Sequence, residues 1–195
     1  MSTIVRPLAR HTTRRALPHR AAARPYPLDV VYAQAGIPAP LARPVAPARI
    51  PPPYHALLVH ERDMTLTLEA HFGGRVVLRP LSTFQDGDAY FRRVLLVQEY
   101  SARPVEMGAI RIDLAAFAPR LQSAILRARV PLGRVLRDGG VDYRSRPSGY
   151  LRVTPNPEMM GVFWMREPRT LYGRTTEMNV AGRKVGDIVE ILPRV

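Results

Sequence analysis

No cysteine occurs in the chain, so disulfides, thiolate metal sites and cysteine nucleophiles are all excluded. Lysine is nearly absent as well: all but one of the 29 basic residues are arginine, Lys184 being the exception. A run of about 18 apolar residues, the length needed to cross a bilayer, occurs nowhere, so no membrane span is expected. Catalytic signatures are missing too. There is no HExxH, GxSxG, GxGxxG or P-loop, and His11, His19, His55, His60 and His71 do not cluster. His60-Glu61 lacks a second histidine one helical turn on, so neither metal nor cofactor is expected.

Acids are scarce where arginine is dense. The chain carries 29 Lys+Arg against 16 Asp+Glu. Such a balance raises nucleic acid as a partner, but its distribution argues against a specific one. Residues 1–50 carry eight Arg and one acid, while the other 145 residues carry 21 basic and 15 acidic groups. About half the excess therefore sits on one end. Arginine in place of lysine, with 20 prolines and abundant alanine, reads as a GC-rich coding bias.

Residues 1–28 hold six Arg and no acid, broken by Pro7, Pro18, Pro25 and Pro27. A mitochondrial presequence shares that composition. A basic flexible tail is the other reading, favoured by the helix-breaking prolines. LDVVYAQA, beginning at Leu28, has room for a short helix that docks on the body. Residues 37–53 hold seven prolines in 17 positions and read as a semi-rigid linker. The expected organisation is a basic, Pro/Arg-rich flexible extension over 1–53 and one folded domain over 54–195. A domain of that size buries roughly 70% of its extended-chain surface, enough to enclose a pocket.

Within 54–195 the strand signals dominate. RVVLRPL (75–81), AYFRRVLLVQEY (89–100) and VEMGAIRI (105–112) are rich in aliphatic, aromatic and β-branched residues. GYLRVTP (149–155) and VFWM (162–165) read as shorter strands. LYGRTTEMNVAGRKVGDIVEILP (171–193) reads as a hairpin turning at Ala181-Gly182-Arg183. Helical signals are fewer: HALLVHE, a segment capped by Thr65 that stops at Gly73-Gly74, and two pieces after Asp113 parted by Pro119. Consecutive strands with few helices predict the α+β class.

Two strand residues look out of place. Arg92 shares a face with Val94 and Leu96, so it must reach solvent or meet an anion. Glu190 in IVEIL sits between Ile188 and Leu192, and a buried carboxylate needs a cation or keeps its proton. Together they suggest a pocket for a polar, anionic small molecule. PLGR (131–134) offers a glycine turn whose N–H groups suit a carboxylate. Arg93, Arg127 and Arg129 read as solvated surface charges.

Four blocks in order, LLVHERDMT (57–65), RRVLL (92–96), 107–134 ending in PLGR, and 171–193, resemble those of the chorismate pyruvate-lyase (4-hydroxybenzoate synthase) family. The resemblance covers roughly 54–195 and is weakest between Leu136 and Thr170. It implies one antiparallel sheet with helices packed on one side, enclosing a small-ligand cavity. It also implies a cytoplasmic, cofactor-free carbon–oxygen lyase that eliminates pyruvate from chorismate to give 4-hydroxybenzoate for ubiquinone biosynthesis. The family's ligand-binding positions fall on Met64, Arg92, Leu132 and Glu190. Arg92 would clamp the substrate carboxylate, and Glu190 would exchange a proton with the ring hydroxyl, making these two the catalytic pair. A monomer with a small-molecule partner is expected. One family arginine is replaced by Ala109, with Arg111 two residues on. The alternative is the same fold acting on or sensing another chorismate-derived or benzoate-like metabolite without lyase activity, as in the effector domains of some bacterial regulators. No helix-turn-helix pattern is visible in 1–50.

Overall fold

Strands β3 (Ala89–Gln98) and β4 (Pro104–Asp113) are buried along nearly their whole length, which means that the sheet is covered on both faces at its centre. They belong to a seven-stranded, wholly antiparallel sheet in the order β1-β5-β6-β7-β4-β3-β2. The other strands are β1 (Leu41–Pro44), β2 (Val76–Asp86), β5 (Tyr143–Thr154), β6 (Leu171–Val180) and β7 (Arg183–Leu192). Two hairpin runs, β2-β3-β4 and β5-β6-β7, join where β4 pairs with β7. The computed structural model describes residues 25–194.

The expected class holds: α+β, one antiparallel sheet, with a helical layer enclosing a cavity on one side. That layer consists of α2 (Tyr54–Leu58), α3 (Met64–Phe72), α4 (Pro119–Leu126) and α5 (Leu132–Asp138). Leu58, Leu68, Ile125 and Leu136 fix it, each essentially inaccessible to solvent. Burial of such a side chain contributes about 1.5–3 kcal/mol. The cluster beneath them includes Val94, Leu96, Ile110 and Ile188 of the sheet.

The opposite face is covered by α1 (Leu28–Gln34) and α6 (Pro157–Val162). Leu28, Val31 and Tyr32 pack on Phe91, Leu95, Met107 and Val189 there. Polar groups reinforce the contact. The Tyr32 hydroxyl donates to Glu158 at 2.7 Å, and Glu158 lies 3.0 Å from the Arg93 guanidinium. That guanidinium also stacks 4.5 Å from the Tyr32 ring centroid. Burial, then the bond to Glu158, pushes the Tyr32 phenol up.

The expected boundary after residue 53 is therefore corrected. Residues 25–53 are part of the fold: α1 fills the core, and β1 pairs with β5 from Leu41↔Thr154 to Pro44↔Leu151. The prolines misled because this strand sits on the sheet edge, where a missing N–H is tolerated. The expected tail over residues 1–24 lies outside the described residues. Other corrections are local. Arg93 is buried and ion-paired. VFWM is no strand, since α6 runs to Val162. Asp63, not Thr65, caps α3 by accepting from Leu66 N at 3.0 Å. Asp113 caps a short 3-10 turn before α4 opens at Pro119. PLGR forms the first turn of α5 rather than an open glycine turn.

Candidate functional site

Gly108, in the middle of β4, is the floor of the site. Val94 faces it from β3 and Glu190 from β7, and Arg174 lies beyond Glu190 on β6. One row of residues away on the same face stand Arg92, Ile110, Ile188 and Thr176. One row the other way, Leu96 and Glu106 are paired. A Cβ on Gly108 would stand 3.2 Å from Val94 Cγ2 and 3.3 Å from Glu106 Oε1. The missing side chain is what leaves a space.

That space is a cavity of about 60 Å³ between the sheet and the N-terminal ends of α3 and α5. It has room for on the order of five waters. All four expected residues line it: Met64 and Leu132 from the helices, Arg92 and Glu190 from the sheet. Three further charged residues also line it: Asp63, Glu106 and Arg174. Ala109 and Arg111 fall on the other face of β4, the side where Ala109 packs in the α1 cluster.

The rim is tied shut by Asp63. Its Oδ2 accepts from the Tyr143 hydroxyl at 2.7 Å and from Arg137 Nη1 at 2.9 Å. A side chain at Gly133 would run into that carboxylate, which accounts for the glycine in PLGR. A second bridge, Arg134 to Glu69, links α5 to α3.

Two arginines inside have opposite circumstances. Arg174, 2% exposed, is well partnered: its Nε donates to Glu190, and its Nη1 donates to the carbonyls of His60 at 2.9 Å and Leu58 at 3.3 Å. Thr176 also donates to Glu190, at 3.1 Å. Burial pulls the Arg174 pKa down, but the charge and hydrogen bond of Glu190 outweigh that and leave it raised. His60, half-buried against this cation, is pushed down by desolvation and then by Arg174. Its Nε2–H donates to Leu57 O at 2.8 Å, leaving Nδ1 to accept from Arg62 N at 3.1 Å. Arg92 is 1% exposed, and neither Nη1 nor Nη2 has a hydrogen-bond partner among the described residues. Desolvation alone draws its pKa down to about 10.

Glu106 is the third unusual group. It is buried, and its Oε2 has no hydrogen-bond partner among the described residues. Desolvation first, then the charges of Glu190 and Asp63, hold its pKa well above 4.5 against the opposing pull of Arg174. Folded protein thus keeps a proton that the unfolded chain has lost, and stability declines as pH rises from about 4.5 to the folded value. The expected slope from this group is about 1.4 kcal/mol per pH unit across that window. Glu106→Gln should remove it. Urea unfolding of both proteins from pH 4 to 8 should show curves that meet at the acid end and diverge upward, the variant being the more stable. Parallel curves would mean that Glu106 ionises normally.

Sequence reasoning missed Arg174, Glu106 and Asp63. Arg174 was hidden by a bulge: pairing outward from the Ala181-Gly182 turn would set Gly173 opposite Glu190, and the register shift between Met178 and Asn179 brings Arg174 there instead. Glu106 carried a weaker signal, sharing a face with Gly108 and Ile110 in an otherwise apolar strand. Nothing local distinguished Asp63 from a surface acid.

No family model matches this chain, and no curated protein matches it. Among solved structures the fold is similar to that of PhnF from Mycobacterium smegmatis. The TM-score is 0.51 at 11% identity, over 69% of this chain and 65% of that chain, less than two thirds of its length. Weaker likenesses include the effector domain of PhnF, with a TM-score of 0.49 at 10% identity over 67% of this chain and 88% of that one. Another is the ligand-binding domain of a putative GntR-family transcriptional regulator from Bordetella bronchiseptica, with a TM-score of 0.43 at 15% identity over 60% and 85%. The likeness is one of fold.

The expected lyase is corrected at this point. The fold resembles that of PhnF, and none of the likenesses reported above is to a lyase. The geometry agrees: Glu190, expected to exchange a proton with the ligand, is locked to Arg174 and Thr176. No described helix is long and apolar enough to cross a membrane.

Proposed function

We propose that this chain is a small-molecule binding protein whose cavity takes a benzoate-like monocarboxylate and senses it without turning it over. The observation that carries the reading is Arg92. A guanidinium that is 1% exposed with both terminal nitrogens unpartnered holds a large desolvation cost. A carboxylate accepting both N–H groups in a fork offsets that cost and is matched to the planar donor. Apolar neighbours Leu78, Val94 and Ile110 suit a ring, and Met64 and Leu132 cover it from the helical side. The fold shared with PhnF, a protein with an effector domain, leans the same way.

Calorimetric titration with 4-hydroxybenzoate and with its neutral amide tests this. The acid should bind on the order of 100-fold more tightly, the difference between a charged and a neutral partner for a buried cation. Chorismate should release no pyruvate. Equal binding of acid and amide would remove the carboxylate from the reading.

A further inference from the structure

With Arg92 assigned to a carboxylate, one buried group on the cavity wall stays unexplained. Glu106 sits at the far end from Arg92, and its Oε2 is buried without a hydrogen-bond partner among the described residues. We infer that Glu106 is the second recognition group of this cavity, and that the ligand is a monocarboxylate with an uncharged oxygen, hydroxyl or carbonyl, about one six-membered ring away.

The spacing comes from the sheet lattice. Arg92 pairs with Ile110, and Glu106 lies four residues further along β4 on the same face. Their Cα atoms are therefore about 14 Å apart, given roughly 3.3 Å per residue and 4.8 Å between strands. Side chains stand roughly perpendicular to the sheet, so most of that spacing remains between the two groups, about a substituted ring with a hydrogen bond at each end. Gly108 lies between them, so the ring has a flat floor, and the Glu106 carboxyl is held within 3.3 Å of the position a Cβ there would take.

Charge decides the nature of the second contact. Glu190 is neutralised by Arg174, and Asp63 is neutralised by Arg137. Among the described residues lining the cavity, Arg92 is then the only uncompensated charge once Glu106 holds its proton. A monoanion balances it. A zwitterion or dianion would leave a net charge in a buried site. A protonated carboxyl donates one hydrogen bond, and an uncharged oxygen accepts it without changing that balance.

The inference rests on the carboxylate reading of Arg92, and its test separates the two. Benzoate and 4-hydroxybenzoate would be titrated calorimetrically into the wild type, Glu106→Gln and Glu106→Leu. Wild type should prefer 4-hydroxybenzoate by on the order of 10-fold, the worth of one hydrogen bond to a buried group. Glu106→Gln, which still donates, should keep most of that preference. Glu106→Leu should lose it while its affinity for benzoate stays within about 3-fold of wild type, the change expected away from the carboxylate clamp. Should the leucine variant fail to fold, Glu106→Ala takes its place. An undiminished preference in the apolar variant, or none in the wild type, overturns the role of Glu106 and leaves Arg92 standing. No binding of benzoate to the wild type overturns both.

Discussion

Replacing Arg92 with methionine should make the ligand-free protein more stable and at the same time destroy its binding of carboxylates. Most binding-site substitutions leave stability alone or lower it, so the sign is the informative part. Arg92 is buried on a strand among Leu78, Val94 and Leu96, with both Nη atoms unpartnered. Methionine is unbranched, comparable in length and free of charge, so it fills the same volume without a desolvation penalty. Substituting buried charges by packed apolar residues has typically stabilised proteins by about 1–4 kcal/mol, and a gain of that size is expected here. The loss of affinity should be on the order of 100-fold or more, since one half of a buried charged contact disappears. Urea unfolding without ligand and calorimetry with 4-hydroxybenzoate measure the two effects. Wild type should recover its deficit as ligand is added, because binding to the folded state alone adds stability in proportion to the logarithm of ligand over Kd. A variant several kcal/mol less stable than wild type in the absence of ligand would mean that Arg92 holds the fold, and the clamp would have to be abandoned.

The sheet was legible because its strands announce themselves locally. In 89–98 and 105–112 most side chains are aliphatic, aromatic or β-branched, the pattern of strands covered on both faces, and the terminal hairpin turns where Ala181 and Gly182 adopt positive φ. What failed was long-range. Residues 37–53 were read as a linker because proline cannot donate in a ladder, yet an edge strand needs donors on one side only, and β1 supplies that edge to β5. The segment from Leu28 promised a helix docked on the body, and it is, but no local feature said which face would be covered or that Leu28, Val31 and Tyr32 would be covered completely. Their burial depends on a bare sheet face built by residues 60 to 160 positions away.

The site was legible in composition and not in pairing. Arg92 and Glu190 stood out as charges in apolar strands, and both line the cavity together with Met64 and Leu132. Reading them as a pair facing one ligand from opposite ends overlooked a third strand. Arg174 lies across from Glu190 in the β6–β7 hairpin, nearer to it than any residue of β3 can be. Their neighbour in the lattice is worth more than their likeness in sequence. By the strand spacing, Arg92 and Glu190 are about 12 Å apart at Cα, two strands and two residues distant. Glu190 therefore sets the position of Arg174, and its proposed part in the site is to hold that corner of the cavity neutral.

Glu190→Gln should accordingly be among the most damaging single changes in the chain. Arg174 is 2% exposed, and Glu190 is its only anionic hydrogen-bond partner among the described residues. Removing the charge from one side of a buried pair leaves the other uncompensated, which destabilises by about 3–5 kcal/mol. The carbonyls of Leu58 and His60 stay within reach of Nη1, so the loss should fall toward the lower end of that range. Arg174→Met alone should be destabilising as well, because Glu190 would then be a buried anion beside Glu106, whose proton it already helps to retain. The double variant Glu190→Leu with Arg174→Met removes both charges and should recover most of the loss, as packed apolar residues replace a buried pair at little net cost. Urea unfolding of the two single variants and the double variant gives a coupling energy, and a value of about 2 kcal/mol or more is expected for groups in direct contact. If Glu190→Gln instead falls within about 1 kcal/mol of wild type, the pair is no more than a solvated contact. Glu190 would then be free to meet a ligand, and the division of labour drawn between Arg92, Glu106 and Arg174 would not hold.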